Sequence, residues 1–352
     1  MRVIDYTNAM LIRPVSEEER ARYNAVVDHP LQSWEWGEFR KKTGLAVERL
    51  GFYDNGKLTK ALQITFHPIP IINRTAGYYP KGLMPDEDQL AALRQLGQQH
   101  NALFIKLEPN VAQPAGSISA FKSIADFLTK NEAEPGRPLF TKYTFQLDLA
   151  PSEEQLFENL ASKTRYNVRL AQKKGVQIFE NSTAEGMEQY LTVLGETTKR
   201  QGFYAHKPEY FRTMWEQLGN TGMLRIFNAV YEDKILASWI IFVFNNIIYY
   251  PYGASSNANR EVMASNLLMW EVIRLGKSLG CSRFDMWGSL GPKPNPKHAW
   301  YGFHRFKEGY GGVLTEFLGT FDLVLDYPMY KLYRLVENWR WKLLRLRAKL
   351  PF

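Results

Sequence analysis

Cysteine is almost missing from this sequence: Cys281 is the only one in 352 residues. A disulfide framework is excluded, and a reducing compartment fits. A lone cysteine reads as a small buried apolar residue before it reads as a nucleophile. Histidine is sparse as well. The six histidines include no His-x-x-x-His pair, so no metal site is expected. Long apolar runs are also lacking. No stretch of about eighteen apolar residues occurs, so no segment is expected to span a bilayer. The N-terminus, Met1-Arg2-Val3-Ile4-Asp5, lacks the apolar centre of a secretion signal, and a cytoplasmic protein is expected.

Apolar residues make up 45% of the chain and aromatic residues 14%. That is enough for real cores, and the length suits two domains. The net charge is +8, and its placement matters more than its size. Residues 327–352 carry seven basic side chains (Lys331, Arg334, Arg340, Lys342, Arg345, Arg347, Lys349) against one acid, Glu337. The remainder is nearly balanced. A basic tail of this density points to an anionic partner, either nucleic acid or a membrane surface.

One pattern occurs twice. Gly51-Phe52-Tyr53-Asp54-Asn55-Gly56-Lys57-Leu58 leads into an apolar run at 61–66, and Ala229-Val230-Tyr231-Glu232-Asp233-Lys234-Ile235-Leu236 leads into 239–244. Each reads as strand, tight polar turn, strand. Tyr78-Tyr79-Pro80-Lys81-Gly82 and Tyr249-Tyr250-Pro251-Tyr252-Gly253 follow, both aromatic strands that stop at Pro and Gly. A helix comes next, through Leu90, Leu93 and Leu96 or through Leu267, Leu268, Trp270 and Ile273. A buried-type strand closes each unit, at 103–108 and 283–288. Pro151-Ser152-Glu153 between the copies is a helix start. This order predicts an α+β fold of two tandem domains with mixed sheets. The expected domains are 1–148, completed by 318–352, and 149–317. The unit is similar to the acetyltransferase-like GNAT unit, whose sheet splays beside a cleft. The Gln/Arg-x-x-Gly-x-Gly/Ala phosphate loop of such folds is absent from both copies, which argues against acetyl-CoA.

Several phrases resemble the FemABX family of aminoacyl transferases. They are Gln32-Ser33-Trp34-Glu35-Trp36-Gly37-Glu38-Phe39, Tyr78-Tyr79-Pro80-Lys81-Gly82, Ser162-Lys163-Thr164-Arg165-Tyr166-Asn167-Val168-Arg169, Tyr250-Pro251-Tyr252-Gly253 and Gly302-Phe303-His304-Arg305-Phe306-Lys307. They occur in the family's order. The resemblance implies paired GNAT-like domains and transfer of an amino acid from a charged tRNA to an amine on a peptidoglycan precursor. That precursor is either UDP-MurNAc-pentapeptide or lipid II, and no cofactor beyond the aminoacyl-tRNA is implied. No sustained charged heptad occurs, so the form without a coiled-coil arm is expected.

The candidate catalytic residues are Lys307, Glu108 and Tyr252. Residues 291–312 are rich in Pro, Gly and Lys and read as a loop. Lys307, beside Phe306, is expected to place an ammonium in a cleft, where it would offset charge developing on the ester oxygens. The resemblance puts the Phe-Lys lysine near the reacting ester. Glu108 ends a buried strand and is a candidate base or orienting group, with capping of the next segment as the equal alternative. The family has an aspartate near this position. Strand alternation puts Tyr250 and Tyr252 on one face, where both could meet substrate. The resemblance places Lys207 and Tyr210 near the precursor's diphosphate, with lysine where the family has arginine. It also suggests contacts from Trp36 and Tyr79. The family's Trp-x-Lys is Trp36-Gly37-Glu38 here, and Arg40 is the residue left to supply that charge.

Arg165, Arg169 and Lys173 recur every fourth residue on an expected helix. They form a cationic stripe suited to tRNA phosphates, or otherwise a solvated face. The tail has apolar residues at Leu332, Val336, Trp339, Leu343, Leu346 and Leu350. It reads as a basic amphipathic helix that lies on an anionic membrane or packs on the first domain. Two alternatives to the leading reading are an acyl-CoA-dependent N-acyltransferase and a non-catalytic nucleic-acid- or membrane-binding module.

Overall fold

The structure is a computed structural model. It describes residues 4–5, 10–117, 121–201 and 205–347, with side chains from 11 to 339 within those ranges. The chain begins with β1 (Ile4–Asp5), β2 (Met10–Pro14), α1 (Arg20–Val26), α2 (Trp34–Lys42), β3 (Ala46–Asp54), β4 (Lys57–Ile69), β5 (Arg74–Pro80), α3 (Glu87–Gln99) and β6 (Ala102–Glu108). It continues with β7 (Ala112–Pro114), α4 (Phe121–Lys130), β8 (Ala133–Pro135), β9 (Tyr143–Asp148), α5 (Glu153–Glu158), α6 (Ser162–Lys174), β10 (Gln177–Glu180), α7 (Ala184–Gln201) and α8 (Pro208–Leu218). Then come β11 (Leu224–Tyr231), β12 (Lys234–Phe244), β13 (Ile247–Ser255), α9 (Ala264–Ser278), β14 (Arg283–Ser289), α10 (Tyr301–Glu308), β15 (Val313–Phe317), β16 (Phe321–Val324) and α11 (Tyr327–Arg347).

The repeated unit is real. In each copy a hairpin, β3–β4 or β11–β12, turns through two residues of positive φ: Asn55 and Gly56, or Glu232 and Asp233. Such turns match the right-handed strand twist. The next strand runs antiparallel to the hairpin, and a helix returns the chain to a parallel neighbour. The parallel pairs are β5 with β6 and β13 with β14. Tyr79 and Tyr250 hold the same place in the two copies. A Cβ on Gly82 would lie 2.1 Å from the Tyr79 ring, and one on Gly253 would lie 1.9 Å from the Tyr250 hydroxyl. Each glycine is where it is because a tyrosine ring lies over it.

Both sheets have eight strands among the described residues, in the orders β1-β2-β3-β4-β5-β6-β16-β8 and β10-β11-β12-β13-β14-β9-β15-β7. The chain crosses between them more than once. β7 and β9 pair in the second sheet although they fall within residues 1–148, and β16 returns to the first. The expected split at 148/149 therefore does not follow the sheets, because strand pairing is fixed by long-range partners that no local pattern reveals.

The cores explain how the lobes are joined. One cluster lies within the first lobe and another within the second. A third is shared: Tyr23, Trp34, Trp36 and Phe39 pack with Phe211, Phe242 and Tyr249. Each such side chain contributes on the order of 1.5–3 kcal/mol when fully buried. α2 and α8 meet across this seam. Trp36 is therefore a core residue, 5.1 Å from the Phe39 ring and 6.2 Å from Phe242. Tyr79 is likewise fully buried, with its hydroxyl donated to the Leu83 carbonyl.

Candidate active site

A half-buried polar cluster sits on the seam. Arg40, in the last turn of α2, donates from Nη1 to the Tyr210 hydroxyl on α8 at 3.4 Å. Tyr252 of β13 hydrogen-bonds the same hydroxyl. The His206 ring stacks on Tyr210 with centroids 3.8 Å apart, and Phe39 meets its edge at 4.9 Å. Burial pushes the Tyr210 hydroxyl up, against Arg40, and pushes Tyr252 well above the usual phenol range. Burial, aided by Arg40, lowers His206 and brings His67 down to about 4. At neutral pH the cluster therefore holds neutral hydroxyls and imidazoles around one guanidinium. Arg40 has no ion-pair partner among the described residues, and it offers the planar fork suited to phosphate oxygens. Glu38 does not oppose it, because Lys41 and Arg49 hold that carboxylate at 2.9 and 2.8 Å.

Tyr210, Tyr252 and Arg40 thus come together. Lys207 is exposed at the N-terminus of α8 and forms no ion pair among the described residues. Tyr250 and Tyr252 do not share a face. β13 carries an extra residue between the partners of Ile240 and Phe242, so Tyr249 and Tyr252 point to the seam. Tyr250 points into the second lobe, stacked on Trp239 at 4.1 Å. Pro251, which lacks a ladder donor, sits at this bulge.

Glu108 ends β6 as expected, yet it is saturated. Its Oε1 accepts from Leu139 N at 2.8 Å, Phe140 N at 3.1 Å and Thr320 Oγ1 at 2.6 Å. Its Oε2 accepts from the Tyr78 hydroxyl at 2.6 Å. With both oxygens engaged, Glu108 ties together the two crossovers between the lobes.

Lys307 also departs from expectation. Its segment is the helix α10, whose Phe306, with Tyr310 just beyond the helix, packs against the second core. Phe306 packs toward Tyr310 and Trp239 at 5.3 and 6.1 Å. The Lys307 ammonium is fully buried and donates to the carbonyls of Met286, Trp287 and Gly288 on β14. The Phe303 ring covers it at 3.7 Å. Burial drives its pKa well below the lysine range, with Asp285 opposing. Lys307 therefore braces the β14 bulge beneath Phe303 and does not stand open in a cleft.

The basic stripe lies on α6, where Thr164, Val168 and Ala171 face the core. Arg169 and Lys173 are exposed, with Lys163 and Lys174 beside them. Arg165 is engaged instead, donating to the carbonyls of Glu158 and Leu160 at the end of α5. α6 adjoins α10 through the Ala161 N to Gly309 O bond of 2.9 Å. Tyr166, Trp300 and Phe303 are exposed aromatic residues of the second lobe.

One residue the sequence pattern did not single out is Lys81. It lines a cavity of about 270 Å³ together with Glu108, Phe140, Phe317 and Thr320. The duplicated Tyr-Tyr-Pro-x-Gly phrase held the signal, since it aligns Lys81 with Tyr252.

Two acetyltransferase-like units in tandem define the class. A profile of the acetyltransferase (GNAT) domain matches residues 161–298, and that of the FemAB family matches residues 15–229. The chain belongs to the FemAB family. It is 23% identical over 401 positions to the lipid II:glycine glycyltransferase of Staphylococcus haemolyticus (strain JCSC1435), covering 91% of this chain and 93% of that protein. It is 21% identical over 411 positions to the enzyme of that name from Staphylococcus aureus (strain USA300), covering 92% and 95%. Both alignments are longer than this 352-residue chain, so those relatives carry residues that it lacks. Among solved structures, FemX superposes with a TM-score of 0.81 at 18% identity, over 91% of this chain and 99% of that one. A tandem GNAT protein from the clavulanic acid biosynthesis pathway gives 0.53 at 10% identity, over 89% and 98%, a likeness of fold alone.

Proposed function

We propose that this chain transfers an amino acid from a charged tRNA to an amine of the stem peptide of a peptidoglycan precursor. The observation that carries this reading is the Arg40–Tyr210–Tyr252 cluster on the seam of a FemAB-family protein. One unpaired guanidinium among neutral hydroxyls fits the diphosphate of such a precursor. The exposed cations of α6, and the exposed rings of Tyr166, Trp300 and Phe303 in the same lobe, suit a nucleic-acid backbone and an unstacked end. An acyl-CoA donor is disfavoured in the first lobe. The N-terminus of α3, where a pyrophosphate would sit, carries Asp86, Glu87 and Asp88.

The acceptor we favour is lipid-linked. Among the described residues no helix is long and apolar enough to cross a membrane. α11 instead packs Tyr330, Met329 and Tyr333 around Phe104 and leaves Leu332, Leu335, Val336 and Trp339 between 53% and 65% exposed. Arg334 is paired with Asp322 at 3.3 Å, so part of the basic stripe is structural. Arg340, Lys342, Arg345, Arg347 and Lys349 lie outside the described side chains. The apolar row with this charge suits the surface of an anionic bilayer. The test is to incubate the protein with mixed charged tRNAs and either the soluble nucleotide precursor or lipid II in anionic vesicles. Mass gain on the vesicle-borne acceptor is expected. Gain on the soluble acceptor alone would overturn the lipid-linked part, and gain on neither would overturn the transfer itself.

A further inference from the structure

Lys81 occupies an unusual place for a lysine. It is 2% exposed, and its backbone has a φ of +52°, a conformation that non-glycine residues disfavour. That conformation is clamped, because Lys81 N donates to the Glu108 carbonyl at 2.6 Å and Asn110 N donates to the Gly82 carbonyl at 2.8 Å. The side chain lies between aromatic faces. Nζ is 3.0 Å from the centroid of Phe317 and 4.7 Å from that of Phe140. It has no hydrogen-bond or ion-pair partner among the described residues. The protein's own carboxylates are occupied elsewhere. Glu108 accepts four hydrogen bonds, and Asp285 accepts from Thr144, Gln146 and Trp287 N at 2.7, 2.9 and 2.7 Å.

The cavity before Lys81 lies where the chain passes between the sheets. Its walls are the crossover from β8 to β9, the crossover from β15 to β16, and the turn after β6. The lining is mostly Pro, Phe and Gly; of its two lysines, Lys142 is exposed and paired with Glu316 at 2.7 Å, which leaves Lys81 as the one buried amine. An ammonium in such a place has lost its water and gained no counter-ion. Burial brings Lys81 down to about 7, and the distant pull of Asp285 and Glu108 only partly offsets this.

We propose that this cavity is a carboxylate-binding site in which Lys81 receives the free C-terminus of the acceptor's peptide. The assignment rests on the peptide-acceptor reading above and adds a second subsite to it. The chemistry selects the ligand. One lysine matches a single negative charge, whereas a phosphate calls for a guanidinium fork or a nest of backbone amides. The apolar walls and the volume fit small apolar residues beside the carboxylate. The donor's amino acid has its own carboxyl tied up as the ester, so the free carboxylate must come from the acceptor. The duplicated motif supports the assignment. Tyr252, the counterpart of Lys81, faces the seam cluster in the second lobe, and Lys81 faces this cavity in the first.

The test compares acceptors that end in a carboxylate or in a carboxamide, on the full chain and on Lys81→Met. A charge-assisted hydrogen bond contributes about 1.5–3 kcal/mol, or roughly 10–100-fold in binding. For the parent protein we expect a KM at least tenfold higher on the carboxamide, with kcat within about threefold. Lys81→Met should show that higher KM on both acceptors, with an intact melting transition. Equal use of the two acceptors by the parent, or an equal loss on both in the variant, would overturn the inference. A binding arm separates this outcome from failure of the transfer reading. Acetic anhydride at pH 7 should acetylate Lys81, read by peptide mass mapping. N-acetyl-dialanine should protect it, and the corresponding amide should not. If no acceptor is aminoacylated, the transfer reading fails and this protection alone decides. Absence of protection, or equal protection by inorganic phosphate, overturns the carboxylate site.

Discussion

The two lobes each bury a lysine, and the two lysines are used in opposite ways. Lys307, in the second lobe, gives its ammonium to three carbonyls of β14 and is covered by Phe303. Lys81, in the first, lies over Phe317 and Phe140 with no acceptor among the described residues. Both lose hydration to the same degree. The difference is whether backbone acceptors replace the lost water. Where they do, the cation organises the chain around it. Where they do not, the cation is left for something outside the chain. Burial alone therefore does not identify a functional lysine; burial without a partner, beside a cavity, does.

The largest expected effect sharpens this contrast. The folded pKa of Lys81 is lowered to about 7, so between pH 10 and pH 7 the unfolded chain binds a proton that the folded chain refuses. Stability therefore falls as pH drops through that window and levels off below it, by about 1.4 kcal/mol per pH unit. Over the window the penalty is on the order of 4 kcal/mol. Lys81→Met should remove this slope, so the variant is more stable than the parent at pH 7 and converges with it near pH 10. Urea melts across that range measure it. Parallel curves for the two proteins would mean that Lys81 has a partner after all.

Lys307→Met should act in the opposite direction. It leaves the carbonyls of Met286 and Gly288 buried without their donor. Each unsatisfied group costs about 1–3 kcal/mol, and loss of the buried charge offsets part of that. A net destabilisation of about 2 kcal/mol is expected near pH 10, where the lowered pKa of Lys307 adds little penalty to the parent. Calorimetry or denaturant melts check it. A neutral or stabilising result would show that the two lysines are alike.

The same distinction explains what the sequence made legible. The duplicated unit was readable, because its turns, its strand stops and its apolar strands are local signals. The sheet exchange of β7 and β9 was not, because strand partners are long-range. The family resemblance points to Tyr210 and Arg40 and the strand pattern to Tyr252, and the structure brings the three side chains together. Trp36 and Tyr79 stand in phrases that carry the resemblance, and the structure buries both in the cores. Tyr250 was misplaced by one bulged residue at Pro251, which reverses the alternation. Glu108 and Lys307 were recognised as special, and their hydrogen-bond partners could not be read from their neighbours in sequence. Lys81 was hidden by its flanks. A lysine between Pro and Gly reads as a turn, and only the left-handed backbone folds it inward.

The smallest effect carries the contrast onto the surface of α6. Arg165 and Arg169 stand one turn apart and look equivalent in sequence. Arg165 donates to two carbonyls at the end of α5, so it belongs with Lys307. Arg169 is exposed, its guanidinium 5.2 Å from the Phe157 ring and free of carboxylates among the described residues, so it belongs with Lys81. Arg165→Ala should lower stability by about 1 kcal/mol and change the salt dependence of tRNA binding little. Arg169→Ala should leave stability within about 0.5 kcal/mol. It should also reduce the slope of log affinity against log salt by roughly 0.7–0.9, the share of one phosphate contact. Melting curves and binding titrations at several salt concentrations give both readouts for both variants. If the two slopes fall together, Arg165 reaches phosphate despite its carbonyl partners, and partner saturation fails as a guide to which cations serve a ligand.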